Sequence, residues 1–534
     1  HNPSSKRLAS MTKNPFTEAD LEQIKQMGIT EDEARRQLAI LKQGQRWTAL
    51  ERPCTPGDGI AVLEPEDQER FIRRWQEGAD MGRLSAFLPA SGAATRMFAF
   101  LQRIQNQVER VTLDEAADRF GQSSEDYREF RVFVESLEKF AFFEPLAEGM
   151  GKAGVSLQEK LQAGVYNDIL NFLLEPRGLH YSSRPKALIP FHRYSDHHRT
   201  ALEEHLVESA HTVRDQEQRC RIHFTVAPEN QAEAEAYGRE AAAQHGERLG
   251  VHYELSFSIQ SPATNTLAVD LDNKPFRKLD GNLLFRPGGH GALLENLNAL
   301  EGDIVLIKNI DNVVTDERRD PVVRHQRILA GMLLELQHEI FNYLRMLESG
   351  SLGINDVQEV LQFVANRLNP SVKEQLLSCG EEERTARLFR LLNRPLRVCG
   401  MVVNRGEPGG GPFWVSDTSG RLSLQVVEQA EIDKGSPEQV AILENSTHFS
   451  PVQIVCGLRD FQGRPFDLKQ FVDPAAVFVS RKFEDGRELK ALELPGLWNG
   501  GMAYWNTVFV EIPEETFNPV KTINDLLRPG HRTA

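Results

Sequence analysis

Cysteine is scarce and scattered: Cys54, Cys220, Cys379, Cys399 and Cys456 are odd in number, far apart and form no C-x-x-C pair. No disulfide framework or zinc site is readable from them, and reduced thiols fit best. Long apolar runs are missing too, since a membrane helix needs about 18 to 20 such residues. The opening HNPSSKRLASMTKNPF has no apolar stretch of the kind a signal peptide needs. The expectation is a cytoplasmic protein with no membrane partner, residues 1–16 forming a disordered tail. Positive charge is in deficit, the net charge being -15. A general nucleic-acid binder needs a basic face to displace counterions, so nucleic acid is not an expected partner. Any anionic substrate has to be captured by a local cluster of cations or amides. Fixed-period repeats and low-complexity tracts are absent as well.

What remains is a globular chain of 534 residues, 40% apolar and 26% charged. Single cores stop growing near roughly 250–300 residues, so this length suits a large enzyme domain with satellite pieces. Thr17 is placed to cap a helix ending at Gly28, and Thr30 with Glu33 makes a capping box for a second that stops at Gly44. Residues 17–80 therefore read as a helical N-terminal segment. Over 81–530, short β-rich runs separated by helices predict an α/β domain with a mixed, mostly parallel sheet and helices on both faces. Core strands are expected at 84–89, 221–226, 252–258, 303–307, 398–403, 424–428, 452–457, 476–480 and 508–512. Two helical insertions, at about 98–180 and 318–395, carry apolar residues every three or four positions, as packing faces do.

Five segments hold the residue types that phosphate chemistry uses. PASGAATRM, Pro89 to Met97, follows a strand and leads into a helix; small residues in such a turn let backbone amides approach a phosphate. Arg96 within it is either a ligand cation or a surface charge. In RPKALIPF, Pro185 holds the chain extended just before Lys186, a compact charge suited to a triphosphate but equally at home in a solvated loop. FRPGGHGALLENL sets three glycines around His290, giving close backbone approach to a base or ribose and a ring that can hydrogen-bond a sugar hydroxyl or phosphate. DIVLIKNIDNVV is a buried-type strand ending in Asn309 and Asp311; an aspartate there can hold Mg²⁺ against phosphate oxygens, or simply make an Asn/Asp turn. Finally Lys521 follows Pro519 in NPVKTINDLL, a second proline-ordered lysine.

Read in order, these segments resemble the UDP-sugar pyrophosphorylase family, which includes UDP-glucose and UDP-N-acetylglucosamine pyrophosphorylases. PGGHG, NIDN and NPVKTINDLL are similar to that family's Gly-His-Gly loop, Asn-x-Asp-Asn strand end and Pro-Val-Lys segment. FSIQS, LQVVEQAEI and NSTHFSPVQ extend the likeness over about 84–528. The LWNGGMAYWNTVFVEIP stretch also resembles an uncharacterised family of large bacterial proteins. The first resemblance implies a nucleotide-diphospho-sugar transferase fold, Rossmann-like and of GT-A type. It implies a magnesium-dependent nucleotidyltransferase joining a nucleoside triphosphate, UTP by the family's habit, to a sugar 1-phosphate. Carried over by residue, Ala90, Ser91, Gly92, Gln260, Gly289 and Asn309 would contact the nucleotide, and His290 and Ile310 the sugar phosphate. Asp311 would hold Mg²⁺, with Lys186, Lys521 and Arg96 on the phosphates. Two features depart from the family pattern: the first loop lacks its paired glycines, and residues 98–180 stand between that loop and Lys186.

Two other functions compete on the same fold. A nucleotide-sugar binding or regulatory protein would follow from the altered first loop. A glycosyltransferase would need an Asp-x-Asp metal motif, which Asp270 and Asp272 in VDLDN supply, although the continuation NKPF reads as a turn.

Overall fold

The computed structural model describes residues 15–350, 353–407 and 409–533. Most of the tail expected at 1–16 lies outside the described residues, but Phe16 packs into a small core with Ile24, Leu38 and Leu267. Seven strands form the body of the central sheet: β1 (Leu84–Pro89), β2 (Arg219–Val226), β3 (His252–Ile259), β4 (Ile304–Lys308), β5 (Leu396–Val403), β6 (Gln453–Gly457) and β7 (Asn506–Glu511). Their spatial order is β7-β5-β6-β4-β1-β2-β3, with Gly59–Ala61 and Thr55–Pro56 extending the β7 side. Along this order β6 alone runs against its neighbours. The remaining pairs are parallel, so the sheet is mixed and mostly parallel.

Near-continuous apolar strands are the mark of a sheet buried on both faces, and side chains that alternate along each strand show this directly. In β4, Ile304 and Leu306 enter one core, while Val305 and Ile307 enter the other. In β1, Leu84, Ala86 and Leu88 face the first core and Phe87 the second. Helices α1 (Pro65–Asp80) and α4 (Arg319–Ser349) cover the first face through Phe71, Trp75, Leu329, Leu333 and Ile340. Their contact is close enough that a Cβ on Gly331 would collide with the Phe71 carbonyl. Helix α3 (Leu293–Ala299) covers the second face with Leu293, Leu294 and Leu297. Each such side chain taken from water contributes roughly 1.5–3 kcal/mol, so a one-residue slip in β1 or β4 would turn both cores inside out.

Three expectations need correction. Residues 17–80 are not helical throughout: Leu50–Pro53, Thr55–Pro56 and Gly59–Ala61 are strands, and the last two belong to the central sheet. The strands Leu422–Val427 and Phe478–Glu484 lie in separate three- and four-stranded sheets instead of the central one. Both bury only part of their residues, in keeping with smaller sheets that face solvent on one side. Between 98 and 180, helices from Ala99–Gln107 to Asn167–Leu174 pack Phe100, Phe133, Phe140 and Phe142 into the first core. All five cysteines are free thiols. Among the described residues no helix is long and apolar enough to cross a membrane.

Candidate functional site

Strands β4, β1, β2 and β3 run parallel, so their carboxyl ends share one edge. With neighbouring strands about 4.8 Å apart, that edge is roughly 14 Å wide from β4 to β3, and ligands of open α/β sheets collect at such edges.

The β1 end carries the small-residue loop. Ala90 is buried, and its N–H donates to the Thr225 carbonyl at 2.9 Å, so Ser91 and Gly92, not Ala90, supply the accessible backbone of the loop. A Cβ on Gly92 would meet nothing within 4 Å. The helical excursion at 98–180 brings the chain straight back to this loop. Ala93 bridges to Pro185, Ala94 N–H donates to the Arg184 carbonyl at 3.0 Å, and Lys186 N–H donates to the Gly92 carbonyl at 3.1 Å. Distance along the chain has therefore not separated Lys186 from the loop. Arg96 stands exposed on the short 3-10 turn Ala94–Arg96, with no carboxylate partner among the described residues.

The Lys186 ammonium donates to Asp311 Oδ2 at 3.0 Å and to the Val520 carbonyl at 2.8 Å. Asp311 sits just beyond β4, whose end is anchored from beneath by helix α2 (Ala201–Thr212). Lys308 is fully buried and donates to both oxygens of Glu208, at 2.7 and 2.9 Å. Burial pushes the Glu208 carboxyl up, but Lys308, His205 and Gln326 together more than offset this and hold it below the usual range; burial in turn depresses Lys308. His205, pushed down to about 4 by burial, hydrogen-bonds the Ile310 carbonyl at 3.0 Å. The Ile310 side chain is packed in the first core and its carbonyl is taken, so it leaves only its N–H for a substrate. Asn309 is half-buried, and its carbonyl closes a turn by accepting from Asn312 N–H at 3.2 Å. Asn312 Oδ1 accepts from Asn518 N–H at 2.8 Å, tying the β4 end to the C-terminal segment. There Asp525 accepts from the N–H groups of Lys521 and Thr522 at 2.7 and 2.8 Å, leaving the Lys521 side chain exposed and 3.7 Å from Glu407. Lys186, Asp311 and the Val520–Lys521 backbone thus meet in one place.

A second group lies toward the β3 end. Gln260 follows β3 and is half-buried, beside Ile259, whose carbonyl accepts from Asn296 of α3 at 2.8 Å. The three glycines around His290 are dictated by neighbouring chain. A Cβ on Gly288 would strike the Thr264 carbonyl, one on Gly289 would lie 2.9 Å from Glu493 Oε2, and one on Gly291 would strike the Pro495 carbonyl. Gly289 also holds φ at 74°, where an L side chain is strained. Gly291→Ala should therefore cost about 1–3 kcal/mol in overpacking, read as a lower urea midpoint. Next to it, His290 Nδ1 accepts from Leu497 N–H at 3.1 Å, and the ring stacks on Trp498 at 4.4 Å. Its Nε2 is 3.5 Å from Glu428. No hydrogen bond or ion pair joins His290 to the Lys186–Asp311 group among the described residues.

Glu428 was not singled out from the sequence, although it lies in LQVVEQAEI. Its N–H donates to Glu431 Oε2 at 2.7 Å, and burial pushes the Glu431 carboxyl up to about 8. An acid whose pKa is raised by folding is penalised as it ionises. Its contribution is most favourable below the unfolded value near 4.5 and is lost as pH rises through about 8, at about 1.4 kcal/mol per unit. Glu431→Gln keeps the acceptor and should flatten this decline, with a thermal midpoint above that of the parent at pH 8.5 and little changed at pH 5. Asp270, the first residue of the possible Asp-x-Asp motif, accepts the N–H groups of Asp272 and Lys274 at 2.9 Å each and is a turn former.

For Mg²⁺, the test is whether the donors suit the ion. Among the described residues no three His, Cys, Asp or Glu side chains converge on a metal position. Magnesium needs only one or two carboxylates when phosphates supply further oxygens. Asp311 fits, because only its Oδ2 is engaged by Lys186.

Comparison with solved structures finds UDP-N-acetylglucosamine pyrophosphorylase from Trypanosoma brucei in complex with an inhibitor, at 13% identity and a TM-score of 0.48, covering 96% of this chain and 79% of that one. UDP-glucose phosphorylase from the same organism gives 13% and 0.44, covering 95% and 77%. A mutant of UDP-glucose pyrophosphorylase from Leishmania major in complex with UDP-glucose gives 11% and 0.42, again covering 95% and 77%. No curated protein matches the sequence. A family model does match, over residues 17–532, and the chain belongs to that family, described as Domain of unknown function (DUF4301).

Proposed function

We propose that this chain is a nucleotidyltransferase that joins a nucleoside triphosphate, UTP in the first instance, to a sugar 1-phosphate and releases pyrophosphate. The observation that carries the proposal is the meeting of Lys186, Asp311 and the Lys521 segment at the carboxyl edge of parallel strands, beside the Ser91–Gly92 backbone. Residues drawn from four distant parts of the sequence supply one ammonium group, one carboxylate and accessible amides in one neighbourhood, with the exposed Lys521 side chain rooted in the same C-terminal segment. That is the equipment for holding two phosphate anions against each other.

In the reaction a sugar 1-phosphate oxygen attacks the α-phosphorus in line. The bond from the α-phosphorus to the bridging oxygen breaks, and pyrophosphate leaves with that electron pair. No general base is needed, because the attacking phosphate is already ionised. Lys186 and Lys521 neutralise charge and align the two anions, which is where most of the rate enhancement of such a transfer arises. Asp311 is the residue that would hold Mg²⁺, which when bound neutralises phosphate charge. On this reading Gln260 and the Gly288–His290 loop, toward the β3 end, would receive the base and sugar, with His290 and Glu428 offering polar groups to hydroxyls.

The test incubates the purified chain with Mg²⁺, each of the four common nucleoside triphosphates and a panel of sugar 1-phosphates, reading released pyrophosphate. Release that needs both substrates supports the assignment. Binding of a nucleotide sugar, with neither pyrophosphate release in the forward direction nor pyrophosphate-dependent triphosphate formation in reverse, would make the chain a binding protein instead.

A further inference from the structure

The segment Leu497–Pro513 contains LWNGGMAYWNTVFVEIP, and its start, at Leu497 and Trp498, touches His290. The next residues do something else. Asn499, Gly500 and Ala503–Thr507 form one wall of a cavity of about 650 Å³, closed by residues 46–49, by helical residues such as Leu368 and by the strand Leu422–Val427. It lies where β5 and β7 begin, at Leu396 and Asn506. Because β4 and β5 are both antiparallel to β6, those strand starts are at the edge of the sheet opposite the Lys186–Asp311 group. A cavity of this size suits a drug- or nucleotide-sized ligand.

Its lining has two properties that ordinary packing does not require. First, aromatic side chains are left open: Trp47 and Tyr504 are 46% and 47% exposed, and both line the cavity. Second, although Asp417, Glu431 and Asp473 also line the cavity, two of its three arginines form no ion pair with them, in a chain of net charge -15. Arg421 is paired with Asp417 at 2.8 Å, but Arg46 and Arg394 have no carboxylate within ion-pair distance among the described residues. Arg394 is half-buried, and its Nε donates to the Arg390 carbonyl at 3.1 Å. Burial and the nearby Arg421 both depress it, so an anion beside it would be favoured on two counts. The wall also holds Trp505, whose buried indole N–H has no acceptor among the described residues. Exposed aromatic faces beside unpaired guanidinium groups recognise flat rings that carry negative charge.

We infer that this cavity is a second ligand site, separate from the Lys186–Asp311 edge, for a planar heteroaromatic anion of nucleotide size. The ring lies against Trp47 and Tyr504, and the anionic group meets Arg394 and Arg46. The inference does not depend on the transfer reaction, since none of these residues belongs to the phosphate-holding group.

Isothermal titration calorimetry of the full chain with UMP, CMP, AMP and GMP tests it, with inorganic phosphate as the ring-free control. The background is a Lys186→Ala/Asp311→Ala double variant, which disables the Lys186–Asp311 pair of the other site. At least one monophosphate should bind to this background, and adding Arg394→Gln or Tyr504→Ala should weaken it tenfold or more. Phosphate alone should bind at least a hundredfold more weakly. Both added substitutions replace partly exposed side chains, and an unchanged thermal midpoint verifies that they fold. The inference is overturned if no monophosphate binds the double variant, or if binding there is indifferent to both Arg394→Gln and Tyr504→Ala.

Discussion

Alanine in place of Asp311 should lower pyrophosphate-releasing turnover by about 10²-fold or more, while the protein stays folded. The side chain is 19% exposed and accepts from the Lys186 ammonium at 3.0 Å. Removing the carboxylate leaves Lys186, itself 15% exposed, with the Val520 carbonyl as its acceptor, so a partly buried charge loses its counter-ion but keeps a hydrogen bond. For a mostly buried pair with one acceptor left, the stability cost should be about 1–2 kcal/mol, above that of a surface pair and below that of a fully buried one. Steady-state turnover and a urea melt on the same preparation check both halves. Turnover within threefold of the parent would remove Asp311 from the mechanism, and a melt shifted as far as the rate would make the loss a folding defect.

The largest stability effect is expected one layer below. Glu208 is 4% exposed and takes two hydrogen bonds from Lys308 and one from Gln326 at 2.6 Å. Glu208→Ala leaves the Lys308 ammonium buried without a partner, and breaking a buried pair from one side costs about 3–5 kcal/mol. Chemical denaturation should show that loss. Turnover should fall as well, because Lys308 leads directly into Asn309 and Asp311. A Glu208→Ala/Lys308→Met double variant strands no charge and should recover much of the stability. A double variant no more stable than Glu208→Ala would mean that the ion pair is not the source of the cost.

What could be read in the sequence follows how local each signal is. Strand β4 was legible because IVLI is a continuous apolar run, whereas β1 (LSAFLP) and β3 (HYELSFSI) interleave apolar with polar residues. The strand Arg487–Glu493 was not, because RELKALE consists of good helix formers. It is extended because it pairs on both sides, with Phe478–Glu484 and Thr266–Val269, a tertiary choice that composition does not carry. Lys186 was recognisable from Pro185, but its place beside Gly92 was not. Six helices intervene, and only the folded structure shows that they return the chain to the same loop. The glycines around His290 could be seen, though not their cause, which is the backbone at Thr264 and Pro495. Least legible was helix α2. Glu203, Glu204, His205 and Glu208 suggest a solvated face, yet all are buried, with partners such as Lys308 and Arg319 about a hundred residues further along.

The measurement that bears most directly on the shared phosphate site is equilibrium binding of UTP with and without Mg²⁺, in the parent, Asp311→Asn and Lys186→Met. The account predicts binding by the parent that tightens at least tenfold with Mg²⁺, loss of that magnesium effect in Asp311→Asn, and weakened binding with or without the ion in Lys186→Met. Parent-like affinity and parent-like magnesium dependence in both variants would contradict it.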